Sequence, residues 1–199
     1  MSRGFFNERA EEWDQIVNHD PVKIRKVIND ISLKSNNPAI LDVGSGTGVL
    51  IPFFMEKYNT QVYITAVDFA ENMINVSRKK HQHYDNIEYI VNDIYTLELP
   101  EWKYDLIICY SVFPHFSNKR LTLKRFRNWL KKDGLVVIFH SQSRKQINNL
   151  HKSSGIEVER DNLLPANEVA HIAEDLGYEV IKLIDNKEMY LVEVKICIE

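Results

Sequence analysis

The sequence predicts an α/β fold in which a mostly parallel, seven-stranded sheet carries helices on both faces. Short apolar runs alternate with helical patterns, a glycine-rich turn follows the first run, and a short polar connection separates the last two. This alternation is typical of a wound sheet. The expected strands are 39–44, 62–68, 87–93, 104–110, 134–140, 178–185 and 189–197. The expected helices fill much of 6–33, then 48–58, 71–82, 118–131, 143–151 and 166–176.

Local signals define two of these boundaries. Asn118 or Ser117 can cap the helix over 118–131, and Asp133-Gly134 is expected to end it before the next strand. Residues 185–188 are too few to form a crossover helix. The last two strands are therefore expected to form an antiparallel hairpin.

Length and composition indicate one globular domain, since 199 residues with 44% hydrophobic side chains can bury a full core. The net charge of -3, with both signs mixed along the chain, gives no basic surface for nucleic acid. No apolar stretch approaches the ~20 residues that cross a bilayer. We expect a cytoplasmic monomer or homodimer that binds neither nucleic acid nor membrane. Its expected parts are an N-terminal helical lid (1–35), a ligand-binding core (36–140), a substrate-side insertion (141–165) and a C-terminal helix with the hairpin (166–199).

The most informative motif is Asp42-Val43-Gly44-Ser45-Gly46-Thr47-Gly48, directly after the apolar start of the first strand. Glycines here let the backbone approach a ligand, and the helix that opens near Gly48 offers free N–H groups to a carboxylate. The dinucleotide fingerprint is Gly-x-Gly-x-x-Gly, and Val49 stands where its third glycine would be. Asp42 opposes a pyrophosphate but attracts an ammonium group. The alternative is a tight turn without a ligand.

These residues resemble motif I of the class I S-adenosylmethionine (SAM)-dependent methyltransferases, whose cosubstrate has an amino-acid end and a positive sulfonium. Asp68-Phe69-Ala70-Glu71-Asn72-Met73 is similar to the family's Asp-x-Ser-x-x-Met segment, with Ala70 in place of Ser. The matches run in order over residues 36–140 and resemble the ubiquinone- and menaquinone-biosynthesis group of that family. The resemblance implies a Rossmann-like fold and an enzyme that uses SAM, releases S-adenosylhomocysteine, and methylates a small molecule by direct in-line displacement.

The resemblance also implies roles for residues at the strand ends. Asp68 would accept hydrogen bonds from the ribose hydroxyls, unless it serves only as a helix N-cap. Phe69 and Met73 would line the adenine, Asp93 would accept from its amino group, and Ile94 would pack on the ring. Asp after a strand is also a common turn residue. The full set of expected cofactor-binding residues is Asp42, Gly44, Ser45, Gly46, Gly48, Asp68, Phe69, Met73, Asp93, Ile94, Tyr110 and Ser111.

Histidines after the fourth and fifth strands are the candidate catalytic groups. His140 or His115 could act as a general base, because some methyl transfers need a proton removed from the nucleophile. Asn148, Asn149 and His151, in a polar insertion, are candidate substrate contacts. The three histidines could instead ligate a metal, but no local His-x-x-x-His spacing supports this and no metal is expected. The alternative for each is a surface or capping role. His81, His83 and His171 are expected to be solvated on helices.

Two other functions remain possible at this point. An NAD(P)-dependent oxidoreductase could share the sheet, although the missing third glycine and Asp42 argue against it. A non-catalytic SAM-binding protein could keep the fold and leave its acceptor pocket unused. The segment from Phe5 to Asp14 resembles the family's lead-in Phe-x-x-x-Ala-x-x-Tyr-Asp, with Trp13 for Tyr, and would close over the cosubstrate. Its alternative is an amphipathic helix packed on the fold.

Overall fold

The computed structural model describes residues 3–153 and 161–197. Residues 154–160, which belong to the expected insertion 141–165, lie outside the described residues, as do the two residues at each end. The chain divides into two compact units, residues 2–98 and residues 99–199. A single domain over 1–199 therefore stays a prediction.

The strands form one seven-stranded sheet in the order β3-β2-β1-β4-β5-β7-β6. This order, with its antiparallel C-terminal hairpin, confirms the predicted fold class. The strands are β1 Ala39–Val43, β2 Tyr63–Asp68, β3 Ile87–Val91, β4 Tyr104–Tyr110, β5 Leu130–His140, β6 Tyr178–Asp185 and β7 Tyr190–Ile196. Every predicted strand is present, and the boundaries agree closely except at the start of β5.

Residues 2–98 contain three parallel strands, because β2 pairs with both β1 and β3. Their helices are α1 Arg3–Arg9, α2 Trp13–Ile16, α3 Pro21–Asp30, α4 Ile51–Tyr58 and α5 Glu71–Lys80. Nearly all of β1 and β2 is buried, which explains why both read as continuous apolar runs. Val43 pairs with Val67, so the loops that follow these two strands begin side by side.

The N-terminal segment is helical in pieces. A 3₁₀ turn, Ala10–Glu12, joins α1 to α2. The Asp20 side chain caps α3 by accepting from the N–H groups of Val22 and Lys23, both at 3.1 Å. Pro21 opens α3, where the missing N–H costs nothing. This cap and proline separate α3 from the helices before it.

Residues 99–199 combine a parallel pair with two antiparallel pairs. β4 lies parallel to β5, whereas β7 pairs antiparallel with β5 and with β6. The helices are α6 Lys119–Trp129, α7 Arg144–Ser153 and α8 Ala166–Glu174. Within the residues that the structure describes, every helix is too short or too polar to cross a lipid bilayer.

One predicted boundary is wrong. Asn118 caps α6 as expected, accepting from the Leu121 N–H at 2.9 Å. However, α6 ends at Trp129, and Asp133-Gly134 lies inside β5. The pairing of β4 with β5 shifts register there, and Asp133 has a left-handed φ of 68°. The Asp-Gly pair makes an irregular turn within the strand. The same pair of residues also commonly ends a helix, so the sequence does not distinguish the two structures.

Candidate active site

The glycine-rich loop after β1 has a left-handed backbone at all three glycines. The φ angles of Gly44, Gly46 and Gly48 are 69°, 53° and 80°. Side chains with a Cβ rarely adopt this conformation. The N–H groups of Gly44 and Ser45 both donate to the Val67 carbonyl, at 2.8 and 3.0 Å, which fastens the loop to the end of β2.

Two of the glycines face different surroundings. A Cβ on Gly46 would meet no atom within 4 Å among the described residues. A Cβ on Gly48 would lie 2.3 Å from Ser77 Oγ, 2.8 Å from Ile51 Cδ1 and 2.9 Å from His81 Cδ2. Gly46 therefore leaves open space beside the loop, whereas Gly48 allows α5 to pack closely against it.

Asp68, at the end of β2, ties the loop to the start of α5. Its Oδ2 accepts from the Gly46 N–H and its Oδ1 from the Ala70 N–H, both at 2.9 Å. The N-cap position of α5 belongs to Ala70, so Asp68 is not the cap residue. A carboxylate oxygen can accept more than one hydrogen bond, so Asp68 keeps capacity for a ligand hydroxyl.

Asp42 is a buried carboxyl group with unused hydrogen-bonding capacity. Its side chain is 2% exposed, and its Oδ2 has no hydrogen-bond partner within residues 3–153 and 161–197. Burial, with a smaller effect from the negative charge of Asp68, raises the pKa of Asp42 to about 7. A ligand ammonium group would favour the carboxylate and offset the cost of burying it.

The residues expected around the adenine lie just after β2 and just after β3. Met73 and Ala70 form a buried cluster with Phe6 and Ala10 of the N-terminal segment, and Phe69 packs against it. The N-terminal segment thus covers the start of α5.

After β3, Asp93 Oδ1 accepts from the Tyr95 N–H at 2.9 Å, which is the turn role considered above. Ile94 is buried. One Asp93 oxygen is therefore engaged within its own turn, and the carboxylate can accept further bonds.

The N-terminal segment is also joined to the glycine loop by polar contacts. Asp14 accepts from Thr47 Oγ1 with one carboxylate oxygen and from Lys80 Nζ, at 2.6 Å, with the other. Burial opposes ionisation of Asp14, but these two partners outweigh it and lower its pKa. Asn7 accepts two hydrogen bonds from Asn72 on α5, at 2.9 and 3.0 Å.

In residues 99–199, Tyr110 and Ser111 follow the buried part of β4. The Tyr110 hydroxyl is 2.9 Å from Ser141 Oγ, and its ring lies 4.5 Å from that of Phe139. Ser111 has a left-handed φ of 56°, and its N–H donates to the Phe139 carbonyl at 3.1 Å. The turn after β4 is therefore fixed to the end of β5.

His140, at the end of β5, is 1% exposed. Neither of its ring nitrogens has a hydrogen-bond partner in the described part of the chain. Burial, aided by the nearby His115 and His151, lowers the pKa of His140 to about 3. Its ring meets that of Tyr190 edge-on, with centroids 5.9 Å apart. His140 is therefore a neutral, buried imidazole at neutral pH.

His115 and His151 form a cluster around Asp161. The Nδ1 of His115 lies 2.8 Å from the Asp161 carboxylate, and the Nδ1 of His151 lies within hydrogen-bond distance of the Asp161 main-chain carbonyl. The two rings are 4.9 Å apart, centroid to centroid. Of the described residues, no three His, Cys, Asp or Glu side chains are arranged to hold a metal ion.

The two asparagines expected near the substrate have different surroundings. Asn148 donates to the Leu163 carbonyl at 3.1 Å and accepts from its N–H at 2.8 Å. Asn149 is exposed on α7. The contacts with Leu163 give Asn148 a clear structural role, which is to hold α7 to the segment before α8.

Three residues in these clusters were missed or misjudged from the sequence. His81 was expected to be solvated, but it is buried against Gly48, and burial lowers its pKa to about 4. Its position at the end of α5, after three basic residues, suggested a polar face. Asp161 gave no signal, because its partner His115 lies 46 residues away. The lead-in motif includes Asp14 but did not indicate its contact with Thr47, 33 residues away.

The fold and the loop define a class of protein, namely a wound α/β protein with a nucleoside-type binding loop after its first strand. The loop, its buried Asp42 and the open space at Gly46 fit a ligand with an ammonium group. Residues 40–134 match a family model described as a methyltransferase domain. This match, over just under half of the chain, confirms the resemblance to the class I SAM-dependent methyltransferases and supports SAM as the cofactor.

Individual relatives agree with this family. The chain is 32% identical to a phosphoethanolamine N-methyltransferase of Plasmodium falciparum over 57% of its own length and 42% of the relative's. It is 33% identical to a malonyl-[acyl-carrier protein] O-methyltransferase of Priestia megaterium over 66% and 48%. A SAM-dependent methyltransferase from Aquifex aeolicus shares the fold, with a TM-score of 0.74, 21% identity and coverage of 96% and 98%. The chain spans about half the length of the first two relatives.

Proposed function

We propose that this chain transfers the methyl group of SAM to a small-molecule acceptor by direct in-line displacement. The buried Asp42, whose Oδ2 has no hydrogen-bond partner among the described residues, and the open space at Gly46 support this most directly. We assign the ammonium of the methionine end to Asp42 and its carboxylate to the N–H groups of the glycine loop. We assign the ribose hydroxyls to Asp68, and the adenine to Phe69, Met73, Asp93 and Ile94.

We assign the role of base to His115 rather than His140. A base is most effective when its pKa lies near the working pH, and burial lowers the pKa of His140 to about 3. His115 instead has a carboxylate 2.8 Å from Nδ1, and this charge stabilises the imidazolium that forms when the ring takes a proton. His140 then serves as a neutral hydrogen-bonding group for the acceptor, with His151 nearby.

A small acceptor, a cytoplasmic location and a monomer or homodimer complete the proposal. The net charge of -3 supports an acceptor other than nucleic acid. The names of the two sequence relatives include one nitrogen and one oxygen acceptor. Both atom types suit a base, because their common acceptor groups lose a proton on methylation.

Calorimetric titration with S-adenosylhomocysteine, with NAD as the comparison ligand, tests the cosubstrate. We expect one-to-one binding of S-adenosylhomocysteine alone, and binding of NAD alone would refute the proposal. A screen with methyl-labelled SAM should then compare amines and hydroxyls with carboxylates and a thioether, which have no proton to lose at neutral pH. Label in a protic acceptor supports the assigned base. Binding without transfer to any acceptor would favour the non-catalytic SAM-binding protein.

A further inference from the structure

The residues 161–165 that lead into α8 supply the carboxylate of Asp161, which the function proposed above uses only for its charge beside His115. Asp161 is half-buried and contacts two histidines, one through its side chain and one through its main chain. Neither contact is local in sequence, because His115 lies 46 residues away and His151 lies 10 residues away. A residue that holds two imidazoles of a candidate acceptor site invites a functional explanation.

The acceptors on Asp161 determine which nitrogen of each ring carries the proton. Burial opposes ionisation of the Asp161 carboxyl group, but the hydrogen bond and charge of His115 outweigh it, so its pKa is lowered. An ionised carboxylate and a main-chain carbonyl can only accept hydrogen bonds. Both histidines must therefore carry a proton on Nδ1, and in the neutral ring the lone pair is on Nε2.

We propose that Asp161 is a positioning residue that fixes the His115 ring in the tautomer with its basic lone pair on Nε2. This inference rests on the proposed function, in which His115 is the base. The proton of the acceptor passes to Nε2. The electron pair that held this proton forms the new bond to the methyl carbon. The electrons of the broken carbon–sulfur bond remain on sulfur. The Asp161 carboxylate then stabilises the resulting imidazolium through Nδ1.

Charged and titratable groups from several elements surround His115. Asp161 is the negative group that faces its ring. His140 from β5 and His151 from α7 are the neighbouring imidazoles, and burial lowers the pKa of both, so they are neutral at neutral pH. Lys119, at the start of α6, interacts with the Asp161 charge and donates to main-chain carbonyls of the same turn. Of these groups, Asp161 is the one whose carboxylate contacts the His115 ring.

Histidine nitrogen NMR of the full chain tests this without SAM or an acceptor. In the unaltered chain, we expect neutral His115 and His151 both to carry the proton on Nδ1. Asp161→Asn replaces a group that only accepts with an amide that can donate or accept, so His115 should show mixed tautomers. His151 should keep its tautomer, since its partner is the main-chain carbonyl. Asp161→Glu should restore the His115 tautomer.

An exposed histidine–carboxylate pair supplies the matched control. His171 Nδ1 lies 3.0 Å from Glu174 on α8, and both side chains are more than half exposed. Glu174→Gln should leave the tautomer ratio of His171 nearly unchanged, because water competes with such exposed contacts. A proton on Nε2 of His115 in the unaltered chain, or an unchanged His115 tautomer in Asp161→Asn, would overturn the proposal. So would loss of both tautomers together, since this would make Asp161 a purely structural support.

The NMR result and the S-adenosylhomocysteine titration fail independently. If the chain binds no S-adenosylhomocysteine but shows the expected tautomers, the proposed function is wrong and the orientation of His115 by Asp161 is correct. If the chain binds S-adenosylhomocysteine but His115 carries its proton on Nε2, only the role of Asp161 is wrong.

Discussion

Gly48 and Gly46 lie two residues apart in one loop, and we expect alanine at Gly48 to lower mainly stability and alanine at Gly46 to lower mainly ligand binding. Gly48→Ala places a methyl group 2.3 Å from Ser77 Oγ and within 3 Å of Ile51 and His81, at a φ of 80°. A left-handed alanine costs about 1–2 kcal/mol, and overpacking adds about 1–3 kcal/mol. The expected loss in the free energy of unfolding is therefore about 2–5 kcal/mol.

Gly46→Ala is the matched variant. Its φ of 53° brings the same backbone strain, but the methyl group meets no described atom within 4 Å. We expect it to cost only about 1–2 kcal/mol of stability. The methyl group enters the space assigned to SAM, so the affinity for S-adenosylhomocysteine should fall at least about tenfold, or 1.4 kcal/mol.

Urea denaturation without ligand and calorimetry with S-adenosylhomocysteine measure these two effects separately. Adding Ser77→Ala to Gly48→Ala removes the closest clashing atom, and Ser77 Oγ has no hydrogen bond to lose within the described residues. The double variant should recover about 1 kcal/mol relative to additivity. Equal stabilities for Gly46→Ala and Gly48→Ala, or no recovery in the double variant, would refute this account of the loop.

Two further predictions concern carboxylates near the loop. Because the pKa of Asp42 is raised to about 7, the folded chain binds an extra proton between about pH 4 and 7, so the free energy of unfolding should fall as pH rises through that range. Asp42→Asn should abolish this pH dependence of stability in urea titrations. It should also abolish the gain in S-adenosylhomocysteine affinity that we expect as pH rises through 7. A variant in which stability and affinity change with pH as in the unaltered chain would exclude Asp42 as their source. Asp14→Asn should weaken the contacts to Thr47 and Lys80 and speed proteolysis of the N-terminal segment, while costing at most about 1 kcal/mol because the pair is partly exposed. Glu56→Gln, which breaks the exposed Arg25–Glu56 pair elsewhere, is the control and should leave that cleavage rate unchanged.

The sheet could be predicted from the sequence because each strand carries its own signal. A parallel strand that is covered on both faces is mostly apolar, so β1, β2 and β4 read as largely apolar runs. The short connection after Asp185 leaves only a hairpin as an option, and the structure has one. The glycine spacing and the Asp-x-x-x-x-Met segment likewise predicted the family, because both patterns lie within a few residues of a strand end.

The errors arose where one local signal serves two structures. Asp133-Gly134 favours a left-handed turn, and neither residue indicates whether that turn ends a helix or interrupts a strand. The pairing of Tyr104 with Leu130 decided this, since it extends β5 to the end of α6. His81 gave the same ambiguity, because the polarity of a helix end does not reveal that a glycine lies against it.

The sequence by itself determined the fold class, the family and the cofactor, because these depend on periodicity and on motifs whose residues are close neighbours in the chain. Only the tertiary structure decided the chemical state of the candidate groups. Burial separates His140, with a lowered pKa, from His115, and Asp161 reaches His115 across 46 residues. A pKa depends on desolvation and on charges within a few ångströms. Those distances are set only when the chain has folded.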